Sequence, residues 1–257
     1  MRVEELFQLD GKVGLVTGGG AGLGRQFAEG LAELGADVAV CSRKLERCEE
    51  TAAALARLGV RTLALRCDVR RPEEVASAVE RVVSELGAID VLVNDAGTSW
   101  GATAEEMPLE GWQKVIDVNL TGLFLVSQAV ARQMIGDGRG GAIVNLASVA
   151  ALRGSPPGRM DAVSYSASKG GVIALTRDLA WKWAHHGIRV NAIAPGWFPT
   201  SMSQVLLDAH GEEFLAGIPL RRFGGADDLK GALALLASPA GAYITGQTIV
   251  VDGGMTA

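Results

Sequence analysis

The stretch YSASK, from Tyr165 to Lys169, places a phenol and an ammonium group four residues apart, just before an apolar run. On a helix, side chains at positions i and i+4 project from the same face. A tyrosine with an ordinary pKa near ~10 is a poor proton source at neutral pH unless a nearby cation stabilises its phenolate. The spacing therefore predicts either a proton-transfer pair or the polar edge of a buried helix.

A second chemical feature is a glycine-rich turn, TGGGAGLGR (17–25), which follows an apolar run and opens a helix-like segment. Glycine lets backbone approach a pyrophosphate closely, and the free N–H groups at a helix start favour an anion. The glycines Gly18, Gly22 and Gly24 match neither the G-x-G-x-x-G fingerprint nor a P-loop. The turn predicts a nucleotide site, with an ordinary strand-to-helix turn as the alternative.

The elements that must position these residues alternate along the chain. Strands are expected at 12–18, 37–42, 61–67, 89–97, 141–148, 188–195 and 248–253, and helices at 23–35, 44–59, 71–87, 105–117, 118–135, 163–184 and 226–237. This alternation predicts right-handed βαβ crossovers and a parallel sheet, and the continuous apolar strands predict helices on both faces. We therefore expect one α/β domain over residues 1–257, a doubly wound sheet of the Rossmann type with about seven strands.

Composition argues against several other classes of protein. The chain has 257 residues, of which 48% are hydrophobic, so it can bury a full core. Its net charge of −5 offers no basic surface for nucleic acid. No apolar window is long enough to cross a membrane, and the acidic N-terminus is unlike a signal peptide. Three cysteines and the adjacent His185 and His186 match no metal-ligand spacing, so we expect no metal and a reducing, cytoplasmic location.

Taken in order, the motifs resemble those of the short-chain dehydrogenase/reductase family over nearly the whole chain. They are the glycine turn, NDAG (94–97), VNLTG with Asn119, Ser148 after the fifth strand, YSASK, NAIAPG (191–196) and TGQTIVVDGG (245–254). Two departures stand out. Asp95 replaces the second asparagine of the family's Asn-Asn-Ala-Gly, and the loop between Ser148 and Tyr165 is longer than usual. We expect neither departure to touch a reacting group.

The resemblance implies a role for each of four catalytic residues. Tyr165 would be the acid in carbonyl reduction and the base in alcohol oxidation. Lys169 would hold the ribose hydroxyls and draw the tyrosine pKa towards working pH. Ser148 would hydrogen-bond the substrate oxygen where negative charge develops, and Asn119 would anchor a water that links Lys169 to solvent. Read without the resemblance, Ser148 could be a turn cap and Asn119 a helix-packing residue.

The resemblance also implies a nicotinamide cofactor. Its predicted binding residues are Gly18, Gly22, Leu23, Gly24, Ser42, Arg43, Asp68, Val69, Asn94, Ala96, Gly97, Tyr165, Lys169, Pro195, Gly196 and Thr200. Asp68 resembles the family residue that reaches the adenine ring. NAD enzymes of this architecture carry an acid after the second strand for the ribose 2′-hydroxyl. Here that position reads CSRK (41–44), and Ser42 and Arg43 suit a 2′-phosphate, so NADP(H) is favoured over NAD(H). A solvated basic helix start is the alternative.

Residues from about 197 to 222 correspond to the family's variable substrate lid, and Trp100, Ser148, Trp197 and Phe198 are the predicted substrate pocket. Arg153 and Arg159, in the long loop, could meet a carboxylate or phosphate. GTSWGA and PGWFP resemble a branch containing a rhamnolipid-pathway 3-oxoacyl reductase. The leading hypothesis is therefore NADPH-dependent reduction of a 3-oxoacyl or similar ketone. Features close to gluconate 5-dehydrogenases leave oxidation of a polyol or sugar acid open, and a nucleotide-sensing protein without catalysis is a third hypothesis.

The last predicted strand bears on assembly, because it should lie at the edge of the sheet. An unpaired edge is an aggregation hazard that proteins usually cover. Two two-fold axes would cover it in a homotetramer, with residues near 240–257 at a subunit contact. By family resemblance, helices 105–135 and 163–184 would be the faces that pair. The alternative is a monomer whose tail folds back over its own edge.

Overall fold

The computed structural model describes all 257 residues, and a parallel sheet of seven strands organises them. The strands are β1 (Val13–Thr17), β2 (Asp37–Ser42), β3 (Thr62–Arg66), β4 (Val91–Asn94), β5 (Gly141–Leu146), β6 (Ile188–Pro195) and β7 (Thr248–Val251). Their order in the sheet is β3-β2-β1-β4-β5-β6-β7, with every neighbouring pair parallel. Strands β1 to β3 are added towards one edge of the sheet and β4 to β7 towards the other, so the order switches between β1 and β4. This topology confirms the predicted doubly wound single domain.

Nine α-helices connect or flank the strands. They are α1 (Val3–Leu6), α2 (Gly22–Glu33), α3 (Leu45–Ala56), α4 (Pro72–Glu85), α5 (Leu109–Ile116), α6 (Leu123–Asp137), α7 (Val163–Trp183), α8 (Gln204–Ala216) and α9 (Lys230–Ala237). A π-helical turn, Asp117–Gly122, joins α5 to α6 without a break. Local sequence explains several boundaries: Pro72 occupies the first turn of α4, where its missing N–H costs nothing, and Gly138 ends α6 in the left-handed conformation.

The predicted boundaries differ from the observed ones where local contacts replace regular hydrogen bonds. The helix expected from residue 105 starts at Leu109, because Pro108 is extended and has no N–H to donate. The strand expected over 89–97 ends at Asn94, since the next two backbone N–H groups donate to the Thr17 hydroxyl instead of to a neighbouring strand. Helix α8 lies in the substrate-lid segment of about 197–222, for which the sequence pattern predicts no helix.

Apolar side chains project from both faces of the sheet, so a layer of helices must cover each face. On β1, Leu15 packs into the layer of α4, α6 and α7, while its neighbour Val16 packs into the layer of α2, α3 and α9. Met134 on α6 and Phe27 on α2 are fully buried in these two layers. Burial of one such side chain contributes about 1.5–3 kcal/mol to folding.

Contrary to the expectation from the sequence, the continuous helical segment Leu109–Asp137 is long and apolar enough to cross a membrane by length and composition alone. Core helices meet the same two criteria. Val126, Val130 and Met134 in this segment are buried against the sheet, which accounts for its apolar character.

Candidate active site

The carboxyl ends of the central strands open into a cavity of about 680 Å³. Ligands collect at this edge in doubly wound folds, because the loops that follow the strands converge there. The cavity is lined by the glycine turn after β1, the loops after β4 and β5, the start of α7 and the segment after β6. It therefore brings most of the predicted cofactor and catalytic residues into one space.

Two glycines shape the floor of this cavity near the start of α2. Gly18 has a φ of 73°, which favours glycine, and a Cβ there would lie 2.9 Å from the Ala96 backbone nitrogen. A Cβ on Gly24 would lie 2.5 Å from the Gly18 carbonyl oxygen. The turn can therefore keep its shape only without side chains at these positions. This glycine cradle fits the close approach of a pyrophosphate to backbone and to the start of a helix.

Tyr165 and Lys169 lie one turn apart in the first part of α7, and both line the cavity. The Lys169 ammonium donates to the Leu146 carbonyl at the end of β5, with Nζ 2.6 Å from the oxygen. Its Nζ lies 5.7 Å from the centroid of the Tyr165 ring. The i, i+4 spacing thus places the phenol and the cation side by side, with the lysine anchored to the sheet.

The expected lowering of the Tyr165 pKa by Lys169 is wrong for this structure. Desolvation raises the pKa of Tyr165 above its usual value, hydrogen bonding with Ser148 opposes the rise, and the negative charge of Asp95 adds to it. Desolvation also lowers the pKa of Lys169 to about 8, and Asp95 works against that change. Loss of water is the largest cause of both pKa shifts, and Lys169 is not among the groups that alter the pKa of Tyr165.

Ser148 follows β5 and lines the same cavity. Its hydroxyl oxygen accepts a hydrogen bond from the Ala150 backbone N–H, at 3.2 Å, and so caps the short turn that follows. The cap uses the oxygen as acceptor and leaves the hydroxyl proton available to a substrate oxygen. Ser148 can therefore cap the turn and also donate a hydrogen bond to a substrate oxygen, so its two predicted roles are compatible.

Asn119 is fully buried in the π-helical turn, and its side chain connects two loops of the site. Its Nδ2 donates to the Thr98 carbonyl and to the Ser168 hydroxyl, each at 3.0 Å, and its Oδ1 accepts from the Thr98 N–H at 2.8 Å. Ser168 in turn donates to the Tyr165 carbonyl. Both amide protons are engaged, so the side chain ties the loop after β4 to α7.

Several predicted cofactor residues face away from the cavity. The Asn94 side chain is buried, and its Nδ2 donates to Ser127 on α6 and to Asn145 on β5, so this side chain fixes the sheet. Val69 is buried and lies where a Cβ on Gly122 would clash, 2.6 Å from its Cγ2. Both follow strands in sequence, and sequence position alone does not give the direction of a side chain.

Other predicted cofactor residues do line the cavity or border it. Gly18, Gly22, Leu23, Gly97, Pro195, Gly196 and Thr200 are among the lining residues, together with Tyr165 and Lys169. Ala96 holds the loop through its N–H, which donates to the Thr17 hydroxyl at 3.1 Å. The glycine turn and the loops after β4 and β6 therefore meet as the sequence predicted.

The corner beyond β2 carries cations and no free carboxylate. Asp37, at the start of β2, is paired with Arg61. Arg43 and Lys44 are exposed and form no ion pair. The Ser42 hydroxyl already donates to the Lys44 carbonyl and accepts from the Lys44 N–H, so its proton is used within the turn.

Asp68, predicted to reach the adenine ring, is held by Arg70 at this same corner. The Arg70 guanidinium makes a two-pronged contact with the carboxylate, with Nη2 2.6 Å from Oδ2 and Nε 3.0 Å from Oδ1. This contact, with a smaller contribution from the charge of Arg43, lowers the pKa of Asp68 to about 2. Asp68 is therefore ionised at neutral pH and fixed next to Arg43.

The substrate end of the cavity differs from the prediction at one of its four residues, Trp100. Trp100 packs its ring against Gly111 and under the Lys114 ammonium, 5.0 Å from the ring centroid, and does not line the cavity. Phe198 lines the cavity, and its ring also packs into the core against Gly224. Trp197 does line the cavity and stacks on Phe214 of α8, with ring centroids 4.2 Å apart.

Sequence reasoning missed or undervalued three residues of the cavity. Asp95, the departure from the family motif, lines it and has its pKa raised to about 7, chiefly by desolvation. Met255 reaches it from the C-terminal tail, for which the sequence held no signal. Arg153 lines the rim with Nη1 3.0 Å from the Met255 carbonyl oxygen and forms no ion pair, whereas Arg159 is paired with Glu213 of α8.

Titratable side chains elsewhere form no metal site. No group of three or more His, Cys, Asp or Glu residues is placed to hold a metal ion. His185 and His186 lie in a short 3-10 turn after α7, with ring centroids 3.8 Å apart, and neither lines the cavity.

A doubly wound sheet, a glycine cradle and a Ser, Tyr and Lys set on one cavity define a nucleotide-dependent oxidoreductase. A family model described as enoyl-(acyl carrier protein) reductase matches residues 18–256. The chain belongs to the short-chain dehydrogenase/reductase family, and it is an oxidoreductase that acts on carbonyl or alcohol groups.

Named relatives come from two groups of the family. The chain is 40% identical over 253 residues to 2-dehydro-3-deoxy-D-gluconate 5-dehydrogenase of Escherichia coli K12, covering 98% of each chain. It is 41% identical over 245 residues to 3-oxoacyl-(acyl-carrier-protein) reductase FabG of Staphylococcus epidermidis, covering 95% of this chain and 98% of the relative. A solved gluconate 5-dehydrogenase from Burkholderia cenocepacia, in complex with NADP and tartrate, has a TM-score of 0.93 and 37% identity, with 99% of each chain covered.

Proposed function

We propose that the protein interconverts a ketone and a secondary alcohol with NADP(H), and that Tyr165 transfers the proton. The observation that carries this proposal is the common cavity: Tyr165, Lys169 and Ser148 line the space whose floor is the glycine turn. A protein that only sensed a nucleotide would need the turn but not an aligned proton donor. The arrangement therefore favours catalysis over sensing.

The nicotinamide supplies or accepts the hydride when it is bound. In reduction, Tyr165 donates its phenolic proton to the substrate oxygen, and Ser148 donates a hydrogen bond to that oxygen as negative charge develops on it. Lys169, held by the Leu146 carbonyl, keeps a positive charge beside the phenol and would meet the cofactor hydroxyls. Asn119 holds this part of α7 in register through Ser168. In oxidation the same tyrosine accepts the proton.

NADP(H) is the proposed cofactor because of the charges beyond β2. Arg43 is exposed without a carboxylate partner and lies close enough to Asp68 to affect its pKa. A 2′-phosphate would meet two cations, from Arg43 and Lys44, where an NAD enzyme needs an acid. The Burkholderia relative, which carries NADP, supports the same choice.

We propose a small keto acid of the sugar-acid type as the first substrate class. Arg153 presents a guanidinium without an ion-pair partner at the rim of the cavity, on the same wall as Ser148. A guanidinium recognises a carboxylate through paired charge-assisted hydrogen bonds. The gluconate-type relatives, one of them solved with tartrate, are consistent with an acidic substrate.

A 3-oxoacyl ketone is the second candidate, and the lid favours it. Trp197, Met202, Leu206, Phe214 and Met255 place apolar surface on the cavity. Such a surface would suit an acyl chain, as the match to FabG also suggests. An NADPH-consumption screen over 5-keto-gluconate, acetoacetyl thioesters and simple diketones separates the two candidates.

Arg153→Gln tests the substrate class directly. For a keto acid we expect KM to rise about tenfold or more, the range for loss of a charge-assisted hydrogen bond, with little change in kcat. The KM for a neutral diketone and the affinity for NADPH should stay as in the wild type, which makes them internal controls. An equal rise in KM for acidic and neutral ketones would show that Arg153 stabilises the C-terminal tail through Met255 and does not bind a substrate carboxylate.

Two further parts of the proposal concern the whole molecule. We propose a homotetramer in which the exposed edge of β7 and the residues near 240–257 lie at a subunit contact, and a cytoplasmic location. Tyr243 and Trp181 are almost fully exposed in the single chain, at 104% and 87%, and Val250 of β7 is 40% exposed. Apolar side chains of this size are the kind that a subunit contact buries.

A further inference from the structure

Asp95 is the titratable group of the cavity that the proposed proton transfer does not use. It follows β4 directly, and its backbone N–H donates to the Thr17 hydroxyl at 3.2 Å, which fixes the loop against the end of β1. Its carboxyl lies under the glycine turn: Oδ2 is 3.0 Å from the position of a Cβ on Gly18 and 2.6 Å from that of a Cβ on Gly24. The carboxyl therefore has a fixed place between the turn and the cavity.

The other charged groups that face Asp95 come from α7. Lys169 and Tyr165 line the same cavity, and each interacts electrostatically with the Asp95 charge. On the side of the glycine turn the nearest partner is a backbone N–H, that of Gly24, and no charged side chain. Half-buried Asp95 and buried Lys169 therefore carry opposite charges on one cavity, and the phenol of Tyr165 lines the same space.

We infer that Asp95 is a positioning residue for the reaction, because its carboxylate keeps the protons on Lys169 and Tyr165. A negative charge next to a phenol disfavours a second negative charge, and next to an ammonium it favours the positive one. Both effects delay loss of a proton as the pH rises. This inference rests on the proposed role of Tyr165 as proton donor.

Asp95 ionises at a lower pH than Tyr165, so its negative charge is present over the pH range in which Tyr165 loses its proton. The pKa of Asp95 is raised to about 7, first by desolvation, with Lys169 and the Gly24 N–H opposing that rise. The pKa of Tyr165 lies above its usual value, so Asp95 is already ionised while Tyr165 loses its proton. An uncharged residue of the same shape would lower the pKa of both Tyr165 and Lys169.

The composition of the chain allows a direct measurement. It has two tyrosines, Tyr165 and the fully exposed Tyr243. In a Tyr243→Phe background, the phenolate absorbance therefore follows Tyr165 alone. We would titrate this parent and compare it with the same protein carrying Asp95→Asn, which keeps the shape and removes the charge. Asp161→Asn is the matched control, since Asp161 lines the same cavity but is not among the groups that affect Tyr165.

We expect the Tyr165 titration to move to lower pH in Asp95→Asn by about half a pH unit or more, and to stay in place in Asp161→Asn. An unchanged midpoint, or one that moves to higher pH, would overturn the inference. If melting shows that Asp95→Asn does not fold, Asp95→Ser removes the same charge from a smaller side chain and is judged by the same criterion.

The pH profile of the reaction is the second readout. In reduction, Tyr165 must carry its proton, so the alkaline limb of kcat/KM should move to lower pH in Asp95→Asn with the plateau nearly unchanged. A uniform loss of rate without a shift would mean a merely structural role and would overturn the inference. If no ketone or alcohol is turned over by the wild type, the proposed function fails, while the absorbance titration still decides the role of Asp95.

Discussion

Arg43 is the residue on which the proposed choice of NADP(H) rests, because it is an exposed cation at the position where an NAD enzyme needs an acid. Arg43→Ala should weaken NADPH binding by roughly 1.5–3 kcal/mol and leave NADH binding almost unchanged, since only NADPH carries the 2′-phosphate. Fluorescence titration with both nucleotides measures this difference.

A matched control for this substitution lies at the far end of the helix that follows Arg43. Arg57, exposed at the end of α3, is remote in sequence from the turn after β2, and Arg57→Ala should leave both affinities as in the wild type. Equal losses for NADPH and NADH in Arg43→Ala would mean that Arg43 supports the loop and contacts no phosphate.

At the residue scale, the sequence predicts which types of side chain take part in the site but not which way each side chain points. Tyr165, Lys169 and Ser148 could be predicted because their spacing and order carry the chemistry. Asn94 and Trp100 could not be placed, because the first turns into a buried amide network and the second packs on Gly111. The effect of Asp95 depends on desolvation by a turn that lies 70 or more residues earlier in the chain, and no local pattern encodes it.

At the scale of elements, the strand-to-helix turn after β1 has little room for an added side chain. Gly24→Ala would put a Cβ 2.5 Å from the Gly18 carbonyl oxygen and 2.6 Å from Asp95 Oδ2, so the backbone of the turn must move. We expect affinity for NADPH to fall about tenfold or more, because the cradle depends on backbone position. Titration of nucleotide fluorescence, with melting as a check on folding, provides the measurement.

Gly136→Ala is the matched control for a methyl added within a helix. Gly136 lies in α6 and nothing is within 4 Å of the position of its Cβ. Alanine there should leave NADPH affinity unchanged and stabilise the protein by about 0.5–1 kcal/mol, the usual difference between the two residues in a helix. Loss of affinity in both variants would show that the substitution at Gly24 acts through general destabilisation.

The elements also show why boundaries were harder to predict than the fold. Alternation of apolar strands with long helices was enough to predict seven parallel strands and two helix layers. The true end of β4 depends on the Thr17 hydroxyl of another strand, and the π-helical turn around Asn119 depends on bonds to Thr98 and Ser168. These contacts join distant parts of the chain and leave no periodic signal.

At the scale of the whole molecule, the edge strand β7 leads to a prediction about assembly. Val250→Glu places a charge on the exposed face of this strand, where the proposed contact between subunits would bury it without a partner. We expect light scattering at micromolar concentration to give about four times 26.7 kDa for the wild type and a smaller assembly for the variant.

The opposite edge of the sheet offers the control. Leu58 is 50% exposed in the connection between α3 and β3, and Leu58→Glu should leave the assembly intact. A stable, active species of 26.7 kDa for the wild type would contradict the tetramer. So would a Val250→Glu variant that assembles as the wild type does.

The central claim is that one cavity binds NADPH and transfers a proton through Tyr165 to a ketone. Its most direct test compares wild type with Tyr165→Phe, which removes only the transferable proton, for NADPH binding and for alcohol formed per NADPH consumed over the ketone panel. We predict one alcohol per NADPH in the wild type, and in the variant nearly unchanged NADPH affinity with turnover lower by about 10² or more. Turnover of the variant within about threefold of wild type, or a wild type that binds NADPH and reduces no ketone, would contradict the claim.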